Sequence, residues 1–510
     1  MKKEKFSANF SWLLVFIILF AGCQSTNHKN YYLSSTGDNS NQGTIKSPFK
    51  TFEALAEIEF APGDAILLNG GETFSGTLNL HLEGSEGKPV LISNYNTGKA
   101  IIDGDDSVAV IISGKRFQLE NIIAKGSGRK TGNTTHGISV FDAQNVKIQN
   151  IRVEGFQKSG LSVYNSSDVL VKNVHALHNG AIGISVYECN NCRVSDCLAE
   201  NNPGDPTKLD NHSGNGILVG ESKVITIDHC VATNNGWDMP RIGNGPVGIW
   251  AYQTDSVIIE YCIAYRNKTS PGAKDGGGFD FDGGITNSVI RYCLSYDNEG
   301  AGIGLFQYYG ARDWYNNSIY YNISINDGIK TDGAGGIFVW NGGPTTEELS
   351  DCYIYNNVVY NEQKPAVVFE AASKHNNFVF FNNIFLGNGE IVSGPSSGEN
   401  FQGNVWWKTD DGDINFRGFE TLKMWSDATG QETTGLQADP FLTGPFFADI
   451  TDPYKLEQLI GFQLMKNSPI KNSGINPESI NIHNIPKSDF FGNDVPQGSS
   501  AEQGVFEIKE

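Results

Sequence analysis

The sequence predicts an all-β solenoid: a single-stranded right-handed parallel β-helix with an N-terminal helical cap and a C-terminal capping segment. Three observations predict it. A short strand motif recurs along the middle of the chain as Gly137-Ile-Ser-Val-Phe, Gly160-Leu-Ser-Val-Tyr, Gly183-Ile-Ser-Val-Tyr and Gly216-Ile-Leu-Val-Gly. Apolar residues alternate strictly within it, so positions two and four share one face. Glycine supplies 59 of 510 residues and charged residues only 18%, which suits many short strands joined by tight turns and argues against disorder.

The repeat continues as Gly248-Ile-Trp-Ala-Tyr, Gly278-Phe-Asp-Phe-Asp, Gly302-Ile-Gly-Leu-Phe, Gly336-Ile-Phe-Val-Trp and Ala366-Val-Val-Phe-Glu. The first two steps are 23 residues and later ones between 24 and 34. A second strand follows each motif, as in Val169-Leu-Val-Lys-Asn-Val and Ile225-Thr-Ile-Asp-His-Cys. A coil of roughly 22 to 25 residues holds two or three short strands and no helix, and stacked coils bury one continuous core. Asn201-Asn202, Asn234-Asn235, Asn356-Asn357 and Asn382-Asn383 close turns and predict stacked, hydrogen-bonded ladders. Cys197, Cys230, Cys262 and Cys293 share one place in successive repeats and predict a column of buried free thiols. Cys189-Asn-Asn-Cys192 has metal spacing but lacks a second pair, so no metal site is expected there. Insertions at 201–215 and 234–246 should wall one side of the solenoid.

The ends divide the chain further. Residues 1–22 read as a signal peptide: Lys2, Lys3 and Lys5 precede an apolar run at 12–21, too short to span a bilayer. The run closes in Leu19-Phe20-Ala21-Gly22-Cys23, which resembles a bacterial lipoprotein box. The resemblance makes Cys23 the lipidated first residue of the mature chain, although Phe20 stands where Leu is commoner and cleavage without lipid is the alternative. The implied location is the cell envelope, as an outer-membrane lipoprotein, or otherwise secretion. Residues 23–64 form an N-terminal cap with a short helix over 48–57, residues 65–405 the solenoid, and residues 406–510 a C-terminal cap. A formal charge of −20 gives no general attraction for nucleic acid or anionic lipid, leaving the anchor as the one membrane contact.

The repeat over 65–405 resembles that of the pectate-lyase-like superfamily. The opening Pro62-Gly-Asp-Ala-Ile-Leu-Leu68, Ala438-Asp-Pro-Phe441 and the tail Asp489-Phe-Phe-Gly-Asn-Asp-Val-Pro-Gln-Gly498 resemble secreted or lipoprotein β-helix proteins of polysaccharide-degrading bacteria. The fold is specific in this resemblance and the activity is not, because one scaffold hosts many chemistries.

Positions three and five of each motif should point outward. Of these eighteen positions eight are aromatic: Phe141, Tyr164, Tyr187, Trp250, Tyr252, Phe306, Phe338 and Trp340. Such a column is either a sugar-stacking groove, with Tyr187, Trp250, Tyr252, Phe306, Phe338 and Trp340 as substrate contacts, or a second core beneath the loops. Asp280 and Asp282 stand in the middle of it, expected to face solvent about 6.6 Å apart at Cα. Close carboxylates separate into an acid and a base, as glycosidic cleavage requires. The site resembles the clustered aspartates of β-helix polygalacturonases, but the Gly-His-Gly and Arg-Ile-Lys signatures of those enzymes are absent. The hydrolase reading needs no cofactor. Alternatively, Asp280 and Asp282 bind calcium with Asp275, or are solvated turn residues. With calcium, the chemistry would be β-elimination on a uronic acid, Arg241, Lys274 or Lys330 serving as base. A non-catalytic glycan-binding protein would use the same groove. His212 precedes an outward strand and is expected to be structural. The expected partner in every reading is a polysaccharide or oligosaccharide.

Overall fold

The computed structural model describes residues 28–130, 132–331, 333–342, 349–370, 375–480 and 486–509. The signal segment and Cys23 lie outside the described residues. The strands join in one continuous parallel sheet wound into a right-handed β-helix, three strands to each central coil. Pairing begins where Asn30–Leu33 joins Ala65–Asn69 and ends where Val405–Lys408 joins Leu436–Gln437, beyond both limits of the 65–405 repeat.

The strand that repeats most regularly stacks in the register its alternation predicts. Ile184, Ile217, Ile249, Phe279, Ile303 and Ile337 form one inward column, and Ser185, Leu218, Trp250, Asp280, Gly304 and Phe338 the adjacent outward one. The inward residues belong to a single apolar core running the length of the helix. Cys197, Cys230, Cys262 and Cys293 are buried in it as free thiols, with the Cys197 and Cys230 amides each donating to the sulfur of the next coil at 3.4 Å.

The asparagine pairs divide their labour. Asn201 and Asn234 take left-handed backbone at the corner (φ 52° each), a conformation asparagine tolerates better than most residues. The second asparagine of each pair turns inward. Asn179, Asn202, Asn235, Asn267 and Asn298 form a ladder of side-chain amide bonds of 2.9–3.2 Å, terminated by Asp327 at 2.8 Å. A second ladder continues the cysteine column through Asn322, Asn357, Asn383 and Asn404 to Glu432.

The ends depart from expectation. The helix expected over 48–57 is one 3-10 turn, Phe52–Leu55, because Phe49 bridges to Leu33 and holds the chain extended through Thr51. Phe52 and Leu55 still bury against the first coils. At the other end Leu422–Thr429 is a helix, N-capped by Thr421 and stopped by left-handed Gly430, whose Trp425 closes the core against Trp406 and Phe416. The remaining tail does more than cap. It runs back along the outside, where Tyr292 donates to the Ser488 carbonyl at 2.9 Å and Tyr454 stacks on His229 at 4.3 Å. A second apolar core lies beneath it.

Candidate active site

Strand Gly277–Phe281 carries the centre of the site. Phe279 and Phe281 point into the core, so Asp280 between them projects out of the coil, flanked in register by Trp250 and Gly304. Asp280 was expected to face solvent, and here the structure corrects the sequence. It is 3% exposed, at the floor of a cavity of 560 Å³. The cause is the inserted loops, whose Asn211, His212 and Gly243 to Gly245 fold over the strand column. Asp282 lines the same cavity and keeps part of its surface open.

Asp280 is in an unusual electrostatic position. Its Oδ1 is buried without a hydrogen-bond partner. The space beside that oxygen is kept by a glycine: a Cβ on Gly304 would lie 3.2 Å from it and 2.7 Å from the Phe306 ring. Burial, followed by the charges of Asp282 and Asp275, pushes the Asp280 carboxyl well above the usual range. Burial raises Asp282 to about 7, against a lowering 2.8 Å bond from the Gly283 amide. Asp275, on the loop before the strand, accepts from the Gly245 amide at 2.7 Å and is raised by burial to about 6. The result is one carboxyl held as the acid and a neighbour that ionises near neutrality, the division of roles that acid–base catalysis needs.

The aromatic column is split by the same loops. Tyr187, Tyr252, Phe338 and Trp340 are half-buried, as a groove requires. Trp250, 3% exposed, and Phe306 are instead covered, so the second-core expectation holds for these two. Trp250 packs with Leu218 and Val247, and its Nε1 donates to Asn215 Oδ1 at 3.0 Å. His212 meets the Trp250 ring edge-on at 4.9 Å and accepts at Nδ1 from Asn215 Nδ2 at 3.1 Å. Burial, with Arg241 and Lys208 nearby, lowers this imidazole to about 4, so it is a neutral wall residue at physiological pH. Phe306, Phe338 and Trp340 close the opposite side, with ring centroids 5.2 and 6.2 Å from Phe306.

Tyr308 also lines the cavity and was missed, although its signal was present. Residues 304, 306 and 308 continue one alternation, and the motif was read only to its fifth position. Of the three candidate bases, Lys274 lines the cavity. Lys330 instead ties two loops together, bonded to Glu299 at 2.7 Å and the Thr269 carbonyl at 2.9 Å. Arg241 is near enough for its charge to act on His212 and Asp275. Among the described residues no group of three or more acidic, histidine or cysteine side chains is arranged to hold a metal ion.

Fold and site together define a right-handed parallel β-helix with a carboxylate-floored, aromatic-walled cavity on one sheet. The chain belongs to the Pel9A-like right-handed β-helix family, whose sequence profile matches residues 31–364. A short match joins it to the uncharacterized protein YwoF of Bacillus subtilis (strain 168), 32% identical over 74 residues. That match spans 14% of this chain and only 15% of YwoF. Among solved structures, XylC in complex with xylose superposes with a TM-score of 0.50 at 10% identity, covering 94% of this chain and 99% of that one. A mannuronic acid-specific polysaccharide family 6 lyase from human gut microbiota gives 0.50 at 15% identity, over 75% and 87% of the two chains. At these identities the likeness is one of fold.

Proposed function

We propose that this chain is an exported glycoside hydrolase that cleaves a polysaccharide with Asp280 as general acid and Asp282 as general base. The observation that carries the reading is the orphaned Oδ1 of Asp280, buried at the floor of the cavity with its neighbouring space held open by Gly304. Unmade hydrogen bonds of this kind cost about 1–3 kcal/mol and persist where a ligand supplies the partner. In the proposed step the Asp280 carboxyl gives its proton to the glycosidic oxygen as the bond to the anomeric carbon breaks. Asp282 takes a proton from the attacking water, whose oxygen forms the new bond at that carbon. The two acids then re-equilibrate their protons with solvent. Asp282 stands just past the end of the Asp280 strand, and a carboxyl separation of roughly 6.5–9.5 Å would leave room for the attacking water, as in inverting enzymes.

One observation favours the second reading, β-elimination. Lys274 lines the cavity and, deprotonated, would serve as the base. Against it, Asp275, Asp282 and Glu370 line that cavity together and, ionised, would repel a uronate. Product analysis on a panel of neutral and acidic polysaccharides separates the readings. Saturated reducing ends are expected. An unsaturated, ultraviolet-absorbing uronide would replace hydrolysis with elimination, and binding without any product would make the protein a glycan binder. The proposal also keeps the enzyme at the cell envelope through lipid on Cys23. Cys23→Ala should then move it from the membrane to the soluble fraction, since acyl chains supply the retention. Unchanged membrane association would remove the anchor.

A further inference from the structure

We infer that a second cavity, further toward the N-terminal coils, binds the distal sugars of the same glycan, so that the enzyme acts internally on an uncharged chain. The inference rests on the glycan-cleaving reading of the Asp280 site and adds the size and charge class of its substrate. The second cavity has a volume of 520 Å³ and shares Asn211, His212 and Tyr252 with the first. The two form one trough with a waist at the 201–215 loop.

A tyrosine platform forms its floor. Tyr164 stacks on Tyr187 at 5.9 Å with planes 10° apart, and Tyr187 meets Tyr252 at 6.4 Å. The intervening coil contributes Gly220, where a Cβ would lie 2.6 Å from the Tyr252 ring and 2.8 Å from that of Tyr187. The missing side chain lets the two rings close over the strand. With coils about 4.8 Å apart, the platform from Tyr164 to Tyr252 runs roughly 14 Å along the helix axis. Tyr164 is 42% exposed. Because Tyr164 and Tyr187 stack on each other, the row offers a sugar chain ring edges and hydroxyls, a mixed apolar and polar surface. Ser139 and Ser162, adjacent in register, add hydroxyls at one-coil spacing along the wall.

Charge separates the two cavities. Asp275, Asp282 and Glu370 line the catalytic cavity with the protonated Asp280 and one cation, Lys274, whereas no aspartate or glutamate lines the second, and its single formal charge is the exposed Lys208. His136 and His212 are held neutral there by burial. A chain threaded through both must tolerate an acidic half and a nearly uncharged half, which a string of neutral sugars does and a polyuronate does not.

The test uses the full chain carrying Asp280→Asn, so that bound glycan is not cut. Calorimetry compares trimers and hexamers of xylose, mannose and galacturonate. A neutral hexamer is expected to bind at least ~10-fold more tightly than its trimer. Tyr164→Ala, at an exposed ring, and Ser162→Trp, which fills the cavity, should each erase that advantage. Equal hexamer and trimer affinities, an advantage that survives both substitutions, preference for galacturonate or no binding at all would overturn the inference. Failure of the catalytic reading looks different: hexamers bind with the expected length dependence while the native enzyme cleaves nothing. Conversely, cleavage without length dependence leaves the acid–base pair standing and removes the second cavity from the substrate path.

Discussion

Two columns of side chains climb this molecule on successive coils, one of asparagines at an inner corner and one of mixed character on the groove face. At the corner, Asn235 and Asn267 each donate both amide hydrogens, one to the next side chain and one to a backbone carbonyl, and accept from the chain on the neighbouring coil. On the groove face, Asp280 occupies the same kind of stacked position, and its Oδ1 accepts nothing. The backbone supplies both columns with the same regular spacing. The satisfied column holds coils together, while the unpartnered Asp280 gives up stability where chemistry is proposed.

Substitution should break this contrast in opposite directions. The largest effect is expected in rate: Asp280→Asn and Asp282→Asn should each lower turnover at least ~10²-fold, measured on the polysaccharide the native enzyme cleaves. Full activity in both would end the acid–base assignment. Next, Asn267→Ala should cost about 2–4 kcal/mol in denaturant unfolding, because it strands the Asn235 amide and a buried backbone carbonyl. A loss below about 1 kcal/mol would make the ladder ornamental.

Asp280→Asn should then do to stability the reverse of what it does to rate. The folded Asp280 carboxyl sits above its ordinary value, so the native state holds a proton that the unfolded chain releases from about pH 4 upward. Native stability falls as pH rises through that window, and asparagine removes the dependence. The variant should melt with the native protein near pH 4 and increasingly above it toward pH 8. A variant less stable than native at pH 8 would contradict the contrast. The smallest effect belongs to the cysteine column, where Cys262→Ala removes a buried sulfur for about 1 kcal/mol. Cys197, Cys230, Cys262 and Cys293 should resist thiol reagents until the protein unfolds, and labelling of the native protein would place them elsewhere.

Which features were legible in the sequence follows the same division. Strand register, the inward phenylalanines on either side of Asp280, the asparagine ladders and the cysteine stack all follow from period and position, because each coil repeats the geometry of the last. The burial of Asp280 and Trp250 does not, since it depends on two irregular loops whose path no repeat dictates. Lys330 and Arg241 sit on such loops, and from sequence either could reach the groove; neither lines the cavity. The helix expected over 48–57 failed differently: its leading Pro48-Phe49 reads as a helix start, but Phe49 is claimed by a backbone bridge to a strand sixteen positions earlier. Tyr308 was within reach of the alternation that found Phe306.

The returning tail changes how such a chain folds. A solenoid alone is a string of local contacts that can nucleate at any coil and fray from either end. Here Tyr454 donates to Asp196 across 258 residues of sequence, and the tail lies over coils formed long before it. Coils can stack in order as the chain is made, but the outer face of the middle ones stays uncovered until the last segment arrives. The tail is thus a latch that turns a piecewise assembly into a single cooperative unit, and a chain cut short before residue 440 would keep its coils and lose the latch.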